Sequence, residues 1–443
     1  MTARGSGRAR AGAVGSAESV SAREIFALAL PALGVLAATP LYLLLDTAVV
    51  GRLGGGAQAA LAVGAAIQSQ VTTQLTFLSY GTTARASRLY GQGRRPLAVA
   101  EGVQATWVAL AVGVALALAV AGCAPTLAGW LAGDAAVARE AAGWMRVAAV
   151  SIPLTLVIMA GNGWLRGVQD TRRPFYFTLA GVIPGAILVP VLVARMGLVG
   201  SAVANLVGVS IAASLFAWAL IREHRGPWRP QWRIIREQLV LGRDLIVRSA
   251  AFQVAFLSAA GVAGRFGVAA LAAHQIMLQL WNFLALVLDS LAIAAQSLTG
   301  AALGRGTAAQ ARAVGRAITR YSALFACALA AVFALGAGLI PRLFSSDPEV
   351  LAQVRGPWWL MVGMVLMGGV LFALDGVLLG ASDAAFLRNA TVASVLCGFL
   401  PGVWLSYALG GGLVGVWCGL VAFIGLRLAA VVWRFRSMRW ART

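Results

Sequence analysis

The sequence contains no lysine, only two histidines, and few charged residues of any kind. Charged residues account for 11% of its 443 residues, whereas hydrophobic residues account for 60%. A soluble domain carries much more charge on its surface, so the soluble classes are excluded. The apolar residues come in long runs, and a membrane-spanning helix needs roughly 20 such residues. The composition therefore predicts an all-α polytopic membrane protein in a lipid bilayer.

Acidic residues are also scarce, so the chain has a formal net charge of +20, and arginine is its only basic residue type besides histidine. The arginines do not gather on one soluble domain beside aromatic residues, so we expect no nucleic-acid partner. They lie mainly in alternate connections between the apolar runs, beginning with the N-terminal arm. Positive residues collect on the cytoplasmic side of membrane proteins. Both termini are therefore predicted to be cytoplasmic, with the protein in the plasma membrane.

Cysteine is rare as well. The four cysteines stand singly in apolar surroundings, without C-x-x-C spacing or a disulfide framework. Together with the two histidines they fit no standard metal motif, so the sequence predicts no metal site and no cofactor beyond a coupling ion, H⁺ or Na⁺. The sequence also lacks an H-E-x-x-H motif, a nucleophile elbow and a suitable Ser–His pair. We therefore do not expect an enzyme.

Hydropathy predicts twelve transmembrane helices. They cover residues 25–50, 57–80, 98–122, 141–162, 174–194, 198–220, 241–263, 268–294, 317–340, 357–379, 386–408 and 412–433. The predicted parts of the chain are a disordered cytoplasmic arm (1–23), a first lobe (24–220), a cytoplasmic linker (221–240), a second lobe (241–433) and a cytoplasmic tail (434–443). The arm is rich in Gly, Ala, Ser and Arg, which is typical of disorder.

The two sets of six helices repeat one another. Residues 51–54 (GRLG) match residues 264–267 (GRFG) at a shift of 213 positions, and residues 197–200 match residues 412–415 at a shift of 215. Because six is an even number, the two lobes should have the same orientation in the membrane. Parallel six-helix repeats are typical of transporters whose substrate passes between the lobes. The repeat therefore argues against a purely structural or anchoring role.

The strongest functional signal is an acid inside the first span, Asp46. A charge at the centre of a span costs about 3 kcal/mol or more, so such residues usually have a function. At 100° per residue, Thr39, Tyr42 and Asp46 share one face of the helix, which we expect to line a cavity. Pro31 and Pro40 each remove a backbone hydrogen bond and are the predicted hinges. Thr39 and Tyr42 have an alternative role in hydrogen bonds between helices.

The repeat shows that Asp46 is asymmetric, because its counterpart in the second half is Ala259. Conversely, Asp375 in the tenth span corresponds to Asn162 in the fourth. Residues with a purely architectural role would more often recur in both halves. We therefore place Asp375 and Asn162 with Asp46 among the predicted ion-coupling and substrate residues.

Polar residues of the second and eighth spans extend this predicted site. Asn282 and Asp289 are seven residues apart, so they lie almost on one line of the eighth helix, and Gln70 and Gln74 are one turn apart in the second. A cavity lined by carboxylates, amides, methionine and aromatic rings suits bulky, partly apolar cations. Each amide taken alone is better explained by a hydrogen bond between helices.

Several stretches resemble motifs of the multidrug and toxic compound extrusion (MATE) family, above all the branch typified by DNA-damage-inducible protein F. The stretch P-L-Y-L-L-L-D-T-A-V-V-G-R-L-G, from Pro40 to Gly54, resembles the family's first-span signature. The other similar stretches are residues 163–174, 243–249, 288–300 and 374–383. The matches fall in both halves, so the resemblance covers nearly the whole chain.

The resemblance implies twelve helices in two lobes around a central cavity, with efflux driven by inward movement of H⁺ or Na⁺. It also implies that Asp46 is the family's first-span carboxylate and Pro31 its bending proline. Asp289 and Asp375 match acidic positions of the second lobe. The chain departs from the family at Gly185 and Val189 in the fifth span, where an Asn and an Asp are common. The seventh span also lacks the glutamate of the Na⁺-coupled branch. These absences favour H⁺ over Na⁺.

We therefore expect a secondary active antiporter that exports organic compounds in exchange for H⁺, or less readily Na⁺, by alternating access. Its small-molecule substrates are expected to be cations of the multidrug type, and the protein is expected to act as a monomer. The alternative is a lipid-linked precursor flippase of the same superfamily, which should have a broad arginine-lined cavity for pyrophosphate. A channel would give uncoupled flux and has no need for the asymmetry of the repeat.

Overall fold

The computed structural model describes residues 20–442, and these form helices joined by short connections, without a β-strand. Most of the predicted disordered arm, residues 1–19, lies outside the described residues. The first helix begins at Ala22, one residue after Ser21. The Ser21 hydroxyl accepts a hydrogen bond from the backbone N–H of Glu24, whose carboxylate in turn accepts one from the N–H of Ser21. This reciprocal pair starts the helix two residues inside the predicted arm.

The first lobe contains eight helices. They are α1 (Ala22–Val50), α2 (Gly55–Gln74), α3 (Phe77–Gly91), α4 (Arg95–Leu131), α5 (Ala135–Ala149), α6 (Ser151–Gly167), α7 (Arg172–Met196) and α8 (Leu198–Glu223). The second lobe contains seven. They are α9 (Trp232–Arg265), α10 (Val268–Gly304), α11 (Ala308–Leu335), α12 (Pro348–Gly380), α13 (Ala384–Ser394), α14 (Leu400–Ala408) and α15 (Gly412–Ser437).

Three predicted spans are divided in the structure. The second is formed by α2 and α3, the fourth by α5 and α6, which meet at a 44° bend, and the eleventh by α13 and α14 with a π-helical turn between them. Within residues 20–442, ten helices are long and apolar enough to cross a membrane, or eleven if the bent pair counts as one. The pair α2 and α3 is not among them, because the end of α2 is rich in Gln and Thr and is therefore too polar. The all-helical polytopic fold is confirmed.

The two ends of the helix bundle differ in charge. We call the end that carries the start of α1, the end of α15 and the arginine-rich connections the basic end, and the other the opposite end. The predicted linker, residues 221–240, lies at the basic end. It consists of the last turn of α8, a short connection and the first turns of α9. Helix α9 thus begins well before the predicted seventh span.

The lobes meet chiefly at the basic end, where α3 of the first lobe lies against α10 of the second. Small residues allow this approach, because a Cβ on Gly91 would overlap the carbonyl oxygen of Ala301, and one on Gly304 would overlap that of Arg88. Small residues at helix contacts let backbones approach closely inside a membrane. Phe26 of α1 also packs edge-on against Phe325 of α11.

Ion pairs add to this contact at the surface of the basic end. Arg85 of α3 pairs with Glu101 of α4 at 2.8 Å and with Glu237 of α9 at 2.5 Å, so it links the two lobes. Next to Glu237, the amide of Gln238 donates a hydrogen bond to the carboxylate of Glu101 at 3.0 Å. The first turns of α9 are therefore tied to the first lobe.

The opposite end is arranged differently. The buried apolar cluster in that half of the first lobe includes Leu61, Trp144, Ile152 and Val189, and all its buried members belong to the first lobe. A second buried apolar cluster contains residues of both lobes. Its first-lobe members, such as Ile25 and Leu78, lie towards the basic end. The molecule is therefore joined at the basic end and divided towards the opposite end.

This close approach predicts the effect of Gly91→Ala. The added methyl group would overlap the backbone of Ala301, which cannot move like a flexible side chain, so the lobes should be forced apart at the basic end. We expect the melting temperature in detergent to fall by several degrees. The matched control is Gly122→Ala in α4, where no atom lies within 4 Å of the added carbon. Equal melting temperatures for the two variants would contradict the contact.

Candidate functional site

Asp46 lies in a buried polar pocket in the opposite half of the first lobe. Its Oδ2 accepts a hydrogen bond of 2.7 Å from the hydroxyl of Ser201 on α8. The Ser201 oxygen in turn accepts one of 3.2 Å from the indole N–H of Trp144 on α5. Among the described residues, neither the other Asp46 oxygen nor the buried hydroxyl of Tyr42 has a hydrogen-bond partner. One carboxylate oxygen is thus positioned and the other is free to take a proton.

Tyr42 explains why the fifth span departs from the family pattern at Gly185. A Cβ on Gly185 would lie 3.3 Å from the Tyr42 ring, which is tighter than almost all real contacts of a Cβ. A larger residue at this position would push the ring aside. The place expected for a second polar partner of Asp46 is therefore filled by the aromatic ring of Tyr42.

The predicted hinge residues lie inside α1, which is continuous from Ala22 to Val50. Pro31 has no N–H, so it leaves the carbonyl of Ala27 without its usual partner within the helix. The hydroxyl of Thr171, just before α7, lies 3.5 Å from this carbonyl and donates to it. Pro40 is exposed. The hinge role of both prolines stays a prediction.

The other predicted residues of the first lobe do not contact Asp46 through any hydrogen bond found among the described residues. Thr39 and Gln70 are exposed, and Gln74 is half-buried. Asn162 is buried close to the end of α6, towards the basic end, and its side-chain oxygen has no partner in the described part of the chain. The hydrogen-bond partner of Asp46 in the structure is Ser201, with Tyr42 nearby, and the role of Asp46 together with Thr39, Tyr42 and the second span stays a prediction.

Asp375 lies at the end of α12 near the basic end and is held by two arginines. Its Oδ2 accepts hydrogen bonds from Arg248 of α9 at 2.6 Å and from Arg427 of α15 at 2.5 Å. Arg427 also lies over the ring of Phe252, 4.7 Å from its centre, and Arg248 lies 5.6 Å from the same ring. Both arginines belong to membrane spans, where a charge needs a partner.

Asp289 lies at the contact between the lobes. Its Oδ2 accepts a hydrogen bond of 2.6 Å from the hydroxyl of Tyr80 on α3, and the charges of Arg166 and Arg248 act on it. The neighbouring Gln296 donates to the Tyr80 carbonyl at 2.7 Å. Asn282, two turns earlier on α10, is exposed. The predicted line of polar residues on α10 therefore runs from an exposed position into the lobe contact.

The two buried polar sites are asymmetric between the lobes. At the shifts of the repeat, the positions of Asp46, Ser201 and Trp144 hold Ala259, Val416 and Pro357 in the second lobe. The positions of Asp375, Arg248 and Arg427 hold Asn162, Val35 and Ala212 in the first lobe. The partners of Asp46 and Asp375 therefore change together with each acid, and neither site is repeated in the other lobe.

Comparison with known proteins gives the family. A family model described as MatE matches residues 31–191 and again residues 245–404. The chain belongs to the MATE family. It is 32% identical to Protein DETOXIFICATION 44, chloroplastic, of Arabidopsis thaliana over 93% of this chain and 81% of the relative. It is 30% identical to DNA damage-inducible protein F of Escherichia coli over 95% of this chain and 94% of the relative.

A solved structure of a MATE protein in a bent conformation shares the fold, with a TM-score of 0.86 and 19% identity over 95% of this chain and 97% of that one. The MATE family model matches once in each lobe, which supports the internal repeat. Its members include proteins named as multidrug resistance and detoxification proteins. The protein is therefore a membrane-embedded efflux transporter of small molecules and not an enzyme.

Sequence reasoning found the buried acids of this MATE protein but missed their partners. Arg248 and Arg427 stand within spans, and a charge there is costly enough to be a signal in its own right. Ser201 and Trp144 gave no such signal, because a single serine or tryptophan is common in any membrane helix. Their place beside Asp46 depends on how α1, α5 and α8 pack.

The pocket predicts the effect of Ser201→Ala. Removal of the hydroxyl takes away the hydrogen bond that positions Asp46, and such a bond to a charged group is worth about 1.5–3 kcal/mol. Ion-driven export from vesicles should therefore slow about tenfold or more, whereas Ser201→Thr should stay near the native rate. Ser214→Ala on the same helix is the control, because Ser214 is exposed and bonds only the backbone of Ser210. Equal rates for the two alanine variants would exclude a role for Ser201.

Proposed function

We propose that this MATE protein is a secondary active antiporter that exports organic compounds in exchange for protons by alternating access. The observation that carries the proposal is Asp46, a buried carboxylate with one oxygen bonded to Ser201 and the other without a partner among the described residues. A carboxylate in such a pocket can gain or lose one proton, and its hydrogen bonds differ between the two forms.

Several features support protons over sodium as the coupling ion. A bound Na⁺ ion is held by several oxygen ligands, which a proton does not require. Near Asp46 the described polar groups are the Ser201 hydroxyl, which already donates to the carboxylate, and Tyr42. The fifth span contributes Gly185, which lies against the Tyr42 ring and brings no side-chain oxygen. One carboxylate with two hydroxyl neighbours suits a proton better.

The arrangement of the lobes supports an outward-facing state. The arginine-rich basic end is proposed to be cytoplasmic, with both termini on that side of the plasma membrane. The lobes meet chiefly at this end through α3 and α10, so the route between them is open towards the outside. Because two lobes of one chain already form the whole route, the transporter is proposed to act as a monomer.

A transport cycle follows from this state. Asp46 takes up a proton from outside, and the change in its bonds to Ser201 alters the packing of α1. The helix then bends at Pro31 or Pro40, where its backbone lacks hydrogen bonds. Substrate leaves, the lobes rock, and the proton is released to the cytoplasm. The charged form of Asp46 then favours loading of the next substrate.

The charge of the substrate is a separate question. The sequence favours organic cations because it places carboxylates within the spans. The structure adds arginines to the same region, namely the buried Arg166 and Arg427 and the half-buried Arg248. The acids alone therefore do not decide the charge. These arginines are also the observation that favours the second candidate function, a lipid-linked precursor flippase, whose substrate carries a pyrophosphate.

The test is Asp46→Asn in sealed vesicles, with a pH gradient or a Na⁺ gradient imposed separately. Two probes with the same ring system, 1-naphthoate and 1-naphthylmethylammonium, cover both charges. We expect the native protein to move one of them against its gradient when the pH gradient is present, and Asp46→Asn to lose this uphill transport. Glu140→Gln is the control, because Glu140 is an exposed acid of the same lobe. Uphill transport by Asp46→Asn at the native rate would refute the proposal, and transport driven only by Na⁺ would replace the proton.

A further inference from the structure

Five charged side chains form one cluster beside the contact between the lobes, and three of them are buried while Arg248 and Asp289 are half-buried. They come from α6, α9, α10, α12 and α15, and they are Arg166, Arg248, Asp289, Asp375 and Arg427. Arg166, Asp375 and Arg427 are only 5%, 5% and 3% exposed. Asp375 bonds Arg248 and Arg427, while Asp289 bonds Tyr80 and lies within range of Arg166 and Arg248. The cluster is therefore one electrostatic unit.

We call these five residues the arginine cluster. Its net charge is positive at every pH that a protein meets. Three guanidinium groups oppose two carboxylates, which gives a net charge of +1 when both acids are ionised. Arginine does not lose its proton in proteins, so protonation of Asp289 or Asp375 can only raise this value. A positive cluster cannot balance the charge of a bound cation. A charged group that binds here must be an anion.

Donors without partners point to the same conclusion. The Nε atoms of Arg166 and Arg248 are buried, and among the described residues neither has a hydrogen-bond partner. Leaving a buried donor of a charged group unsatisfied is costly. A guanidinium group offers a planar fork that matches the two oxygens of a carboxylate or phosphate. An oxyanion would therefore satisfy donors that the described side chains leave free.

Apolar rings stand next to the same arginines. Phe252 lies under both Arg248 and Arg427, and Phe423 lies 5.6 Å from Arg427 and packs edge-on against Phe252. An organic molecule with an apolar body and an anionic group fits this combination better than a small inorganic ion does.

The repeat argues against a purely structural ion pair. The first lobe repeats the sequence pattern of the second, but it places Val35, Asn162 and Ala212 at the positions of Arg248, Asp375 and Arg427. The fold is therefore built once without these charges. Burying charged groups costs free energy, and only one lobe carries these three. They are therefore better explained by the binding of a ligand than by a structural role.

We propose that the arginine cluster binds the oxyanion group of an exported organic anion, which competes with Asp375 for Arg248 and Arg427. This inference rests on the proposed export function and assigns its substrate class. It places the substrate group in the half of the molecule that contains the basic end, away from the proton site at Asp46. The substrate group thus binds chiefly to second-lobe arginines, while the proton binds Asp46 of the first lobe, so the two do not share one carboxylate.

The experiment measures binding to the full chain in detergent by isothermal titration calorimetry, with no ion gradient. The probes are 1-naphthoate and 1-naphthylmethylammonium, which differ in charge but share the ring. We expect the native protein to bind the naphthoate more tightly. Arg248→Gln should weaken this binding about tenfold or more, because it removes a charge-assisted hydrogen bond. Arg265→Gln, at the other end of the same helix, should leave it unchanged.

Asp375→Asn separates ligand binding from a structural role. It removes the competitor of the anion and raises the cluster charge to +2, so naphthoate should bind several-fold more tightly. A structural ion pair predicts the reverse, because loss of either partner would damage the site. If Asp375→Asn does not fold, Arg427→Lys takes its place and should bind naphthoate more tightly than Arg427→Gln. Tighter binding of the ammonium probe by the native protein would overturn the proposal.

Three further outcomes are decisive. Displacement of naphthoate by dioleoyl phosphatidic acid, but not by dioleoyl phosphatidylcholine, would assign the site to a lipid phosphate and overturn the small-molecule assignment. Failure of naphthoate to bind, in a protein that still shows export abolished by Asp46→Asn, would overturn this inference and leave the proposed function standing. Binding of naphthoate without proton-coupled export would overturn the proposed function and leave this inference standing.

Discussion

Every ionised group inside a membrane span must find a partner, and this constraint shapes the transporter. Asp375 has Arg248 and Arg427, and Asp289 has Tyr80 with Arg166 nearby. Among the described residues, the hydrogen-bond partner of Asp46 is a neutral hydroxyl, that of Ser201. Asp375 is thus held by two positive groups, whereas the carboxylate of Asp46 is held by a neutral one. The same constraint thus separates two kinds of acid and, with them, two tasks.

The contact between the lobes depends on a different physical factor, the close approach of backbones. Inside a membrane there is little hydrophobic drive for helices to associate, so small residues and polar contacts must hold them together. Gly91 and Gly304 bring α3 against α10, and Tyr80 then reaches Asp289. These contacts lie in the half of the molecule near the basic end, and a contact made of many weak bonds is suited to the exchange of contacts that the proposed alternating access requires.

The sequence was sufficient to predict the fold, because apolar runs, the repeat and the position of the arginines are all local patterns. It also located Asp46, Asp289 and Asp375 as acids within spans. It did not predict Ser201 as the partner of Asp46, since the two residues are 155 positions apart and meet only when α1 packs near α8. The same holds for Arg427 and Asp375, on α15 and α12. Partners across helices depend on rotation and depth, which periodicity alone does not give.

The separation of the two sites requires a connection between them, and α1 is the element that provides one. Its far end carries Asp46, while its first turns, with Ile25 and Phe26, pack against the second lobe. Pro31 lies between these regions and frees the carbonyl of Ala27 to bond Thr171. A change in charge at Asp46 can therefore reach the lobe contact through one helix. Linkage makes such a coupling reciprocal. If a proton on Asp46 changes the affinity for substrate by a given free energy, bound substrate changes the proton affinity of Asp46 by that same free energy.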